Sequence, residues 1–325
     1  MNFIVKSIIV FFISVLSAVL MLALERAFGI EWDFHPDSVT YATLADETVQ
    51  GILNQNYLLI FNNGYYFWAS MLGMSVTIMT VANIIFFSIT NIFLVKFHLD
   101  HTPKQKYSIH LAVALAILML NPYRLHLATT ILKDTLIIML VVFLVYSDKY
   151  YNYMQIPLLL VLRVASPLYV FTKFSKKNLV RFLIIGIAAS AVLSGFISDR
   201  LLEFNSADMQ LRDFDRIPNF RDLGLIGTFL RAGTWPILAI TGGFALISPA
   251  LAFFPVAIGS ILNQIYCRLV IGRFALPLAV AVPMAIFATL VTGYTAYIRY
   301  IYPLLVVLPM VAARDRSGPW LRGDS

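Results

Sequence analysis

Apolar runs long enough to cross a lipid bilayer recur along most of the chain, and this decides the solvent in which it folds. A bilayer core of about 30 Å takes about 20 apolar residues per helix, and backbone groups inside it must bond to one another. Of 325 residues, 60% are hydrophobic and only 13% are charged, with a mean hydropathy of +0.81. Such runs at short intervals predict an all-α, polytopic transmembrane helical bundle of about eight to ten spans. Residues 1–325 then form a single integral membrane domain, with no room for a soluble catalytic one.

The first run, residues 7–24, has the length of a signal-peptide core, but Glu25 and Arg26 follow it without a small-residue cleavage pattern. It reads as a retained span. A single cysteine, Cys267, excludes an intramolecular disulfide and a cysteine-based metal site. The net charge of +7 does not imply nucleic acid, because the basic residues lie mostly in short loops where the positive-inside bias accounts for them.

Charge also gives the spans sides. Between residues 25 and 54 six acids (Glu25, Glu31, Asp33, Asp37, Asp46, Glu47) stand against Arg26 alone, which marks residues 25–76 as an outer loop. That loop is expected to hold an amphipathic helix over residues 39–53 and an interfacial aromatic tract over 62–68. The N-terminus, with Lys6, then faces the cytoplasm. Spans follow over residues 77–95, 107–120 and 135–146, with a basic cytoplasmic loop at Lys96, Lys104 and Lys106 and an outward link, NPYRLHLATTILKD, over 121–134.

Residues 155–172 are apolar except for Arg163. Read as re-entrant, this stretch puts the polar loop 198–234 outside; read as a full span, it puts that loop inside. The run 235–262 is correspondingly one crossing or a hairpin broken at Pro249 and Pro255. Spans over 274–292 and 301–312 complete the bundle, with Arg299 outside and Arg314, Arg316, Arg322 and the C-terminus inside.

Several features carry chemistry. His35-Pro36-Asp37-Ser38, with Tyr41 a turn later, follows the first span. Asp37 or Ser38 can cap a helix there, its oxygen taking free backbone donors. Alternatively Asp37, with His35 beside it, is a catalytic carboxylate that accepts the proton of an attacking sugar hydroxyl. In the outward link, a helix begun near Leu125 puts His126, Thr130, Lys133 and Asp134 on one face, at spacings of four, seven and eight. Together with Arg124 that face is either an interfacial anchor or a holder for a diphosphate, which needs several donors and positive charge.

Arg163 interrupts an apolar stretch, where an unpaired cation costs about 2.5 kcal/mol or more, so it is either a substrate-binding residue or half of a buried pair. YTAYIRYIYP, residues 294–303, sets Arg299 among four tyrosines that read as an aromatic belt. The segment 198–231 carries five arginines, Arg231 included, against six acids; outside, these would hold an anionic lipid-linked substrate, and inside they are solvated structure. His98, His101 and His110 lack convergent carboxylates. No metal site is expected, Asp33 and Asp37 being the one pair of acids able to form a weak cation site.

The order of FHPDSVTY, NPYRLHLATTILKD, LLLVLRVASP and YIRYIYP along the chain resembles bacterial polysaccharide-assembly membrane proteins, the C-type glycosyltransferases and the O-antigen or capsule polymerases. The resemblance implies a GT-C-like bundle in the bacterial inner membrane that transfers sugar from a polyprenyl-phosphate-linked or polyprenyl-diphosphate-linked saccharide at the outer, periplasmic face. It implies Asp37 as the base, and Arg124, Lys133, Arg163 and Arg299 as holders of the donor's phosphates. No cofactor is implied; the partners are the lipid-linked saccharide, the bilayer and other polysaccharide-assembly proteins. The rival reading is a transporter or flippase of lipid-linked saccharide, against which stands the lack of an internal duplication. A noncatalytic membrane subunit of an assembly complex is a third.

Overall fold

The computed structural model describes residues 3–55, 57–101, 113, 116–146, 154–175, 177–181, 184, 220, 223–243, 254–271, 276–291 and 293–316, and every regular element among them is helical. Three helices are long and apolar enough to cross a membrane, Ile4–Ala27, Val76–Asp100 and Ala296–Arg314, and two shorter ones, Asp134–Tyr146 and Leu278–Leu290, are equally apolar in character. The chain divides into two compact units, Met1–Pro167 and Leu168–Ser325.

In the first unit, α1 (Phe3–Ala27) has no glycine or proline to interrupt it, and it packs along α5 (Val76–His101). Its outward residues, among them Phe12, Leu16 and Leu20, are exposed, as suits a helix that turns one side to lipid. Its inward Ala18 meets Ile84 and Phe87 of α5 and Leu125 and Ala128 of α6 (Pro122–Thr129). α1 stops in a Schellman turn: Ile30 N donates to Glu25 O at 2.8 Å, Gly29 N donates to Arg26 O at 3.0 Å, and Gly29 takes the left-handed φ of 72° that this turn requires. The turn reverses the chain through a short 3-10 turn, Trp32–Phe34, into α2 (Pro36–Thr43), whose first residue is a proline with its φ already helical.

The amphipathic helix expected over 39–53 is two helices, α2 and α3 (Ala45–Gln55), separated at Leu44. The aromatic tract becomes α4 (Gly64–Met71), which packs on α2, α3 and α8 (Gln155–Leu162). α5 runs on to His101, so His98 is a buried helical residue and not part of a loop. Residues 102–112, 114 and 115, with His110 and more than half of the expected third span, lie outside the described residues. α7 (Asp134–Tyr146) matches the fourth span and packs on α5. α8 ends at Leu162 and Arg163 is extended, at φ −159° and ψ 118°, so 155–172 is neither a continuous span nor a continuous re-entrant helix: a 3-10 segment, Ser166–Lys173, follows.

In the second unit, α9 (Gly224–Thr241) packs on α11 (Leu278–Leu290), and α10 (Phe254–Ile271) on α12 (Tyr294–Arg316). Of the expected polar loop 198–234, residues 198–219, 221 and 222 lie outside the described residues, and from Gly224 onward it is helix. The run 235–262 is not one crossing, because α9 ends at Thr241 with Gly242 left-handed at φ 68°. Pro249 lies outside the described residues, and Pro255 stands in the first turn of α10.

Among the described glycines of the first unit the tightest is Gly64, where an added Cβ would stand 2.0 Å from Val161 Cγ1 and 3.0 Å from the Val161 carbonyl oxygen. Gly64→Ala is therefore expected to lower stability by about 1–3 kcal/mol through overpacking. The unfolding midpoint in detergent checks this: Val161→Ala in the same chain should restore part of the loss, since it removes the nearer obstacle.

Candidate functional site

Three elements meet around Glu25. Its carboxylate stands in the last turn of α1, where the helix dipole disfavours an anion, and yet it is buried. Two donors from α6 account for this. His126 Nδ1 lies 2.6 Å from Glu25 Oε1, and Thr129 Oγ1 donates to Glu25 Oε2 at 2.5 Å. The other nitrogen of the His126 ring faces His35, with the two Nε2 atoms 2.8 Å apart. Phe34 stands edge-on to both imidazoles, 5.1 Å from His35 and 5.9 Å from His126, and Tyr123 stacks on His126 at 6.4 Å. Glu25, His126 and His35 thus form one hydrogen-bonded row, flanked by aromatic rings. A carboxylate, an imidazole and a second imidazole in line can take up a proton and pass it on.

The single polar face expected from His126 to Asp134 does not exist, because α6 stops at Thr129 and Thr130 is extended, at φ −95° and ψ 164°. The stop frees backbone carbonyls inside an apolar bundle. Asn83 of α5 collects two of them, its Nδ2 donating to Thr130 O at 2.6 Å and to Leu132 O at 3.0 Å. Thr135 Oγ1 takes a third, Leu127 O, at 2.7 Å. His126 and Asp134 consequently serve different partners.

Beyond the break, Asp134 Oδ1 accepts Arg163 Nη2 at 2.7 Å, and the two side chains are only 1% and 3% exposed. The membrane arginine is therefore half of a buried pair. Lys133 Nζ donates to Asn62 O at 3.2 Å. Asn62, left-handed at φ 74°, also donates from its N to Leu160 O at 3.3 Å and accepts Val164 N on Oδ1 at 3.4 Å, so it grips the chain on both sides of Arg163. Tyr65 is buried nearby; burial holds its hydroxyl well above the usual phenol range, the charge of Asp134 adds to this, and the Asn83 amide works against it.

Arg124 turns to the bundle interior. Asn121 caps α6 by accepting Arg124 N at 3.2 Å. The Arg124 guanidinium donates to Leu118 O at 2.9 Å and Asn91 Oδ1 at 2.6 Å, over the ring of Phe87. Asn91 in turn donates to Ser14 Oγ of α1 at 2.9 Å, so this cation ties α6, α5 and α1 together. Asp37 lies half-buried in the first turn of α2, where His35 holds the N-cap position; neither Asp37 nor Ser38 caps from there. Burial and then the charge of Asp37 raise the Tyr66 hydroxyl above its ordinary value.

In the second unit, Arg231 is buried in α9, with Nε donating to Ala288 O at 3.3 Å, Nη2 to Thr228 Oγ1 at 3.4 Å, and the ring of Trp235 beneath it. Arg299 is half-buried in α12. Tyr294, Tyr297 and Tyr302 around it are buried core residues and not an interfacial belt; Trp235 meets the first two at 5.2 Å. Among the described residues no three His, Cys, Asp or Glu side chains are placed to hold a metal ion.

Sequence reasoning placed Glu25 only among outer-loop acids. The signal that singles it out is an anion in the last turn of an apolar helix, against the dipole. Thr129, Asn62, Asn83 and Asn91 carried no signal beyond being polar in or beside apolar runs.

Removing one partner of a buried ion pair strands the other. Arg163→Ala or Asp134→Ala is expected to cost about 3–5 kcal/mol, while the double change Arg163→Met with Asp134→Leu recovers most of it. Unfolding midpoints of the three variants in detergent check the ordering.

The chain matches no family model, no curated protein and no solved structure, so what this cluster does has to be read from its own geometry and chemistry.

Proposed function

We propose that the chain is a membrane glycosyltransferase, foremost an O-antigen or capsular polysaccharide polymerase, that takes its sugar from a polyprenyl-phosphate-linked or polyprenyl-diphosphate-linked donor. The observation that supports this reading is the concentration of acid-base and cationic groups on one segment, residues 121–134, which bonds Glu25 and His35 through His126 and carries Lys133 and Asp134 past its break. Transfer needs both kinds of group. A base takes the proton of the acceptor hydroxyl, the new glycosidic bond forms, and the sugar–phosphate C–O bond breaks with its electron pair going to the phosphate. Preorganised cations in a water-poor site stabilise the charge that develops there.

In this reading the bundle is GT-C-like with about eight to ten spans, and both termini are cytoplasmic by the placement of basic residues. The site faces the periplasm at the bacterial inner membrane. Other polysaccharide-assembly proteins are its natural partners.

The test is the purified protein in lipid nanodiscs with a radiolabelled polyprenyl-diphosphate oligosaccharide. New glycosidic products are expected; in vesicles, movement of the donor across the bilayer with no new bond would replace this reading by a flippase. Lys133→Ala is expected to lower kcat/KM by about 10- to 100-fold, the worth of one hydrogen bond from a charged donor.

A further inference from the structure

The distances along the row from Glu25 to His35 limit where its protons can lie. An ionised carboxylate is acceptor-only, so the 2.6 Å contact at Glu25 Oε1 places a proton on His126 Nδ1. Thr129 Oγ1 occupies the other oxygen at 2.5 Å, which holds the carboxylate in one orientation. Two imidazole nitrogens 2.8 Å apart must share one proton, because two lone pairs would repel and two N–H groups would collide. That proton has two homes. On His35 Nε2, both rings are neutral and the lone pair of His35 is on Nδ1. On His126 Nε2, which it reaches once His35 Nδ1 has taken up a further proton, the His126 ring is an imidazolium directly beside Glu25.

From this we infer that His35 is the general base of the site, with His126 and Glu25 as a relay that draws the accepted proton's charge inward. The inference rests on the glycosyl-transfer reading and replaces Asp37 as the base within it. The step balances as follows. The acceptor hydroxyl gives its proton to His35 Nδ1, the proton on His35 Nε2 moves to His126 Nε2, and the His126 imidazolium stands against the Glu25 carboxylate. The hydroxyl oxygen bonds to the sugar, and the phosphate departs with the electrons of the broken C–O bond. The positive charge thus ends next to the buried Glu25 carboxylate.

The surroundings suit this. His35 is held by its backbone, since its carbonyl accepts Ser38 N at 2.9 Å in the first turn of α2. His126 is set by α6, and Glu25 by the Schellman turn at the end of α1. Phe34 stands at right angles to both rings, 5.1 Å from His35 and 5.9 Å from His126. His35 is the catalytic residue here, and His126 and Glu25 are positioning residues that act through it.

Glu25→Gln separates a relay from a structural bond, because the glutamine oxygen can still accept from His126 Nδ1, with its amide nitrogen turned to the Thr129 hydroxyl, while the side chain carries no charge. With polyprenyl-diphosphate oligosaccharide as substrate, kcat is expected to fall by about 100-fold or more while KM for the donor stays within about twofold. A kcat within about threefold of the parent, or a change confined to KM, overturns the relay. The second measurement needs no activity: 15N spectra of the histidine-labelled protein in lipid should show His126 protonated at Nδ1 and His35 at Nε2. The reversed tautomers overturn the relay, as do His35 and His126 signals that shift on adding zinc or a chelator. If the parent protein forms no glycosidic bond, the glycosyl-transfer reading falls, and these spectra alone decide whether the row is wired as a relay.

Discussion

A helix that stops inside an apolar bundle strands backbone carbonyls, and the amide of Asn83 takes up two of them where α6 gives way to α7. The rest of the first unit depends on this repair. With the break held, α6 presents His126 and Thr129 to the end of α1, and α7 presents Asp134 to Arg163. A continuous helix through residues 121–146 would carry these groups at fixed angular spacing and could not serve both partners. The asparagine is thus a backbone substitute: it supplies within the bundle what water supplies at an ordinary helix end.

Among the described residues of this unit, the buried charges Glu25, Arg124, Lys133, Asp134 and Arg163 are each tied to a specific acceptor, donor or counter-charge. Arg124 joins three helices through Asn91 and Ser14; Arg163 joins α7 to the extended residue after α8. Such ties contribute little net stability over an apolar replacement, since desolvation offsets most of the attraction. They do contribute register. A misaligned α6 would leave a guanidinium or a carboxylate alone in hydrocarbon, which is far costlier than a displaced leucine.

The long apolar helices were legible from hydropathy, and α5 and α7 begin within a residue of their expected starts. Arg163 was legible as needing a partner, though not which one. Failures occurred where the chain breaks for tertiary reasons. Residues 39–53 have a sound amphipathic pattern, yet Leu44 separates two helices that both pack on α4. Thr129 and Thr130 look unremarkable in a helical frame until Asn83 stands opposite them. Glu25 was hidden by company: one acid among six reads as topology, and only the Schellman turn that folds Phe34 and His35 back past it makes it a partner for His126. The tyrosines near Arg299 show the converse, a pattern that suits a membrane belt but is buried by packing against Trp235.

The two acid-base contacts built on α6 and α7 differ in what their cation can do. An arginine stays protonated under all biological conditions, so the Asp134–Arg163 pair can position and neutralise but cannot exchange a proton. An imidazole nitrogen can hold or give up a proton, so the Glu25–His126 contact is an ion pair or a neutral hydrogen bond according to where one proton lies. Four residues separate the ends of the two devices along the chain, between Thr129 and Asp134, and the break there keeps their partners distinct. In the proposed transfer to a hydroxyl the two devices would divide the work, one holding geometry while the other moves a proton. The sequence carries both in a single segment because the stop at Thr130 turns one helix into two faces.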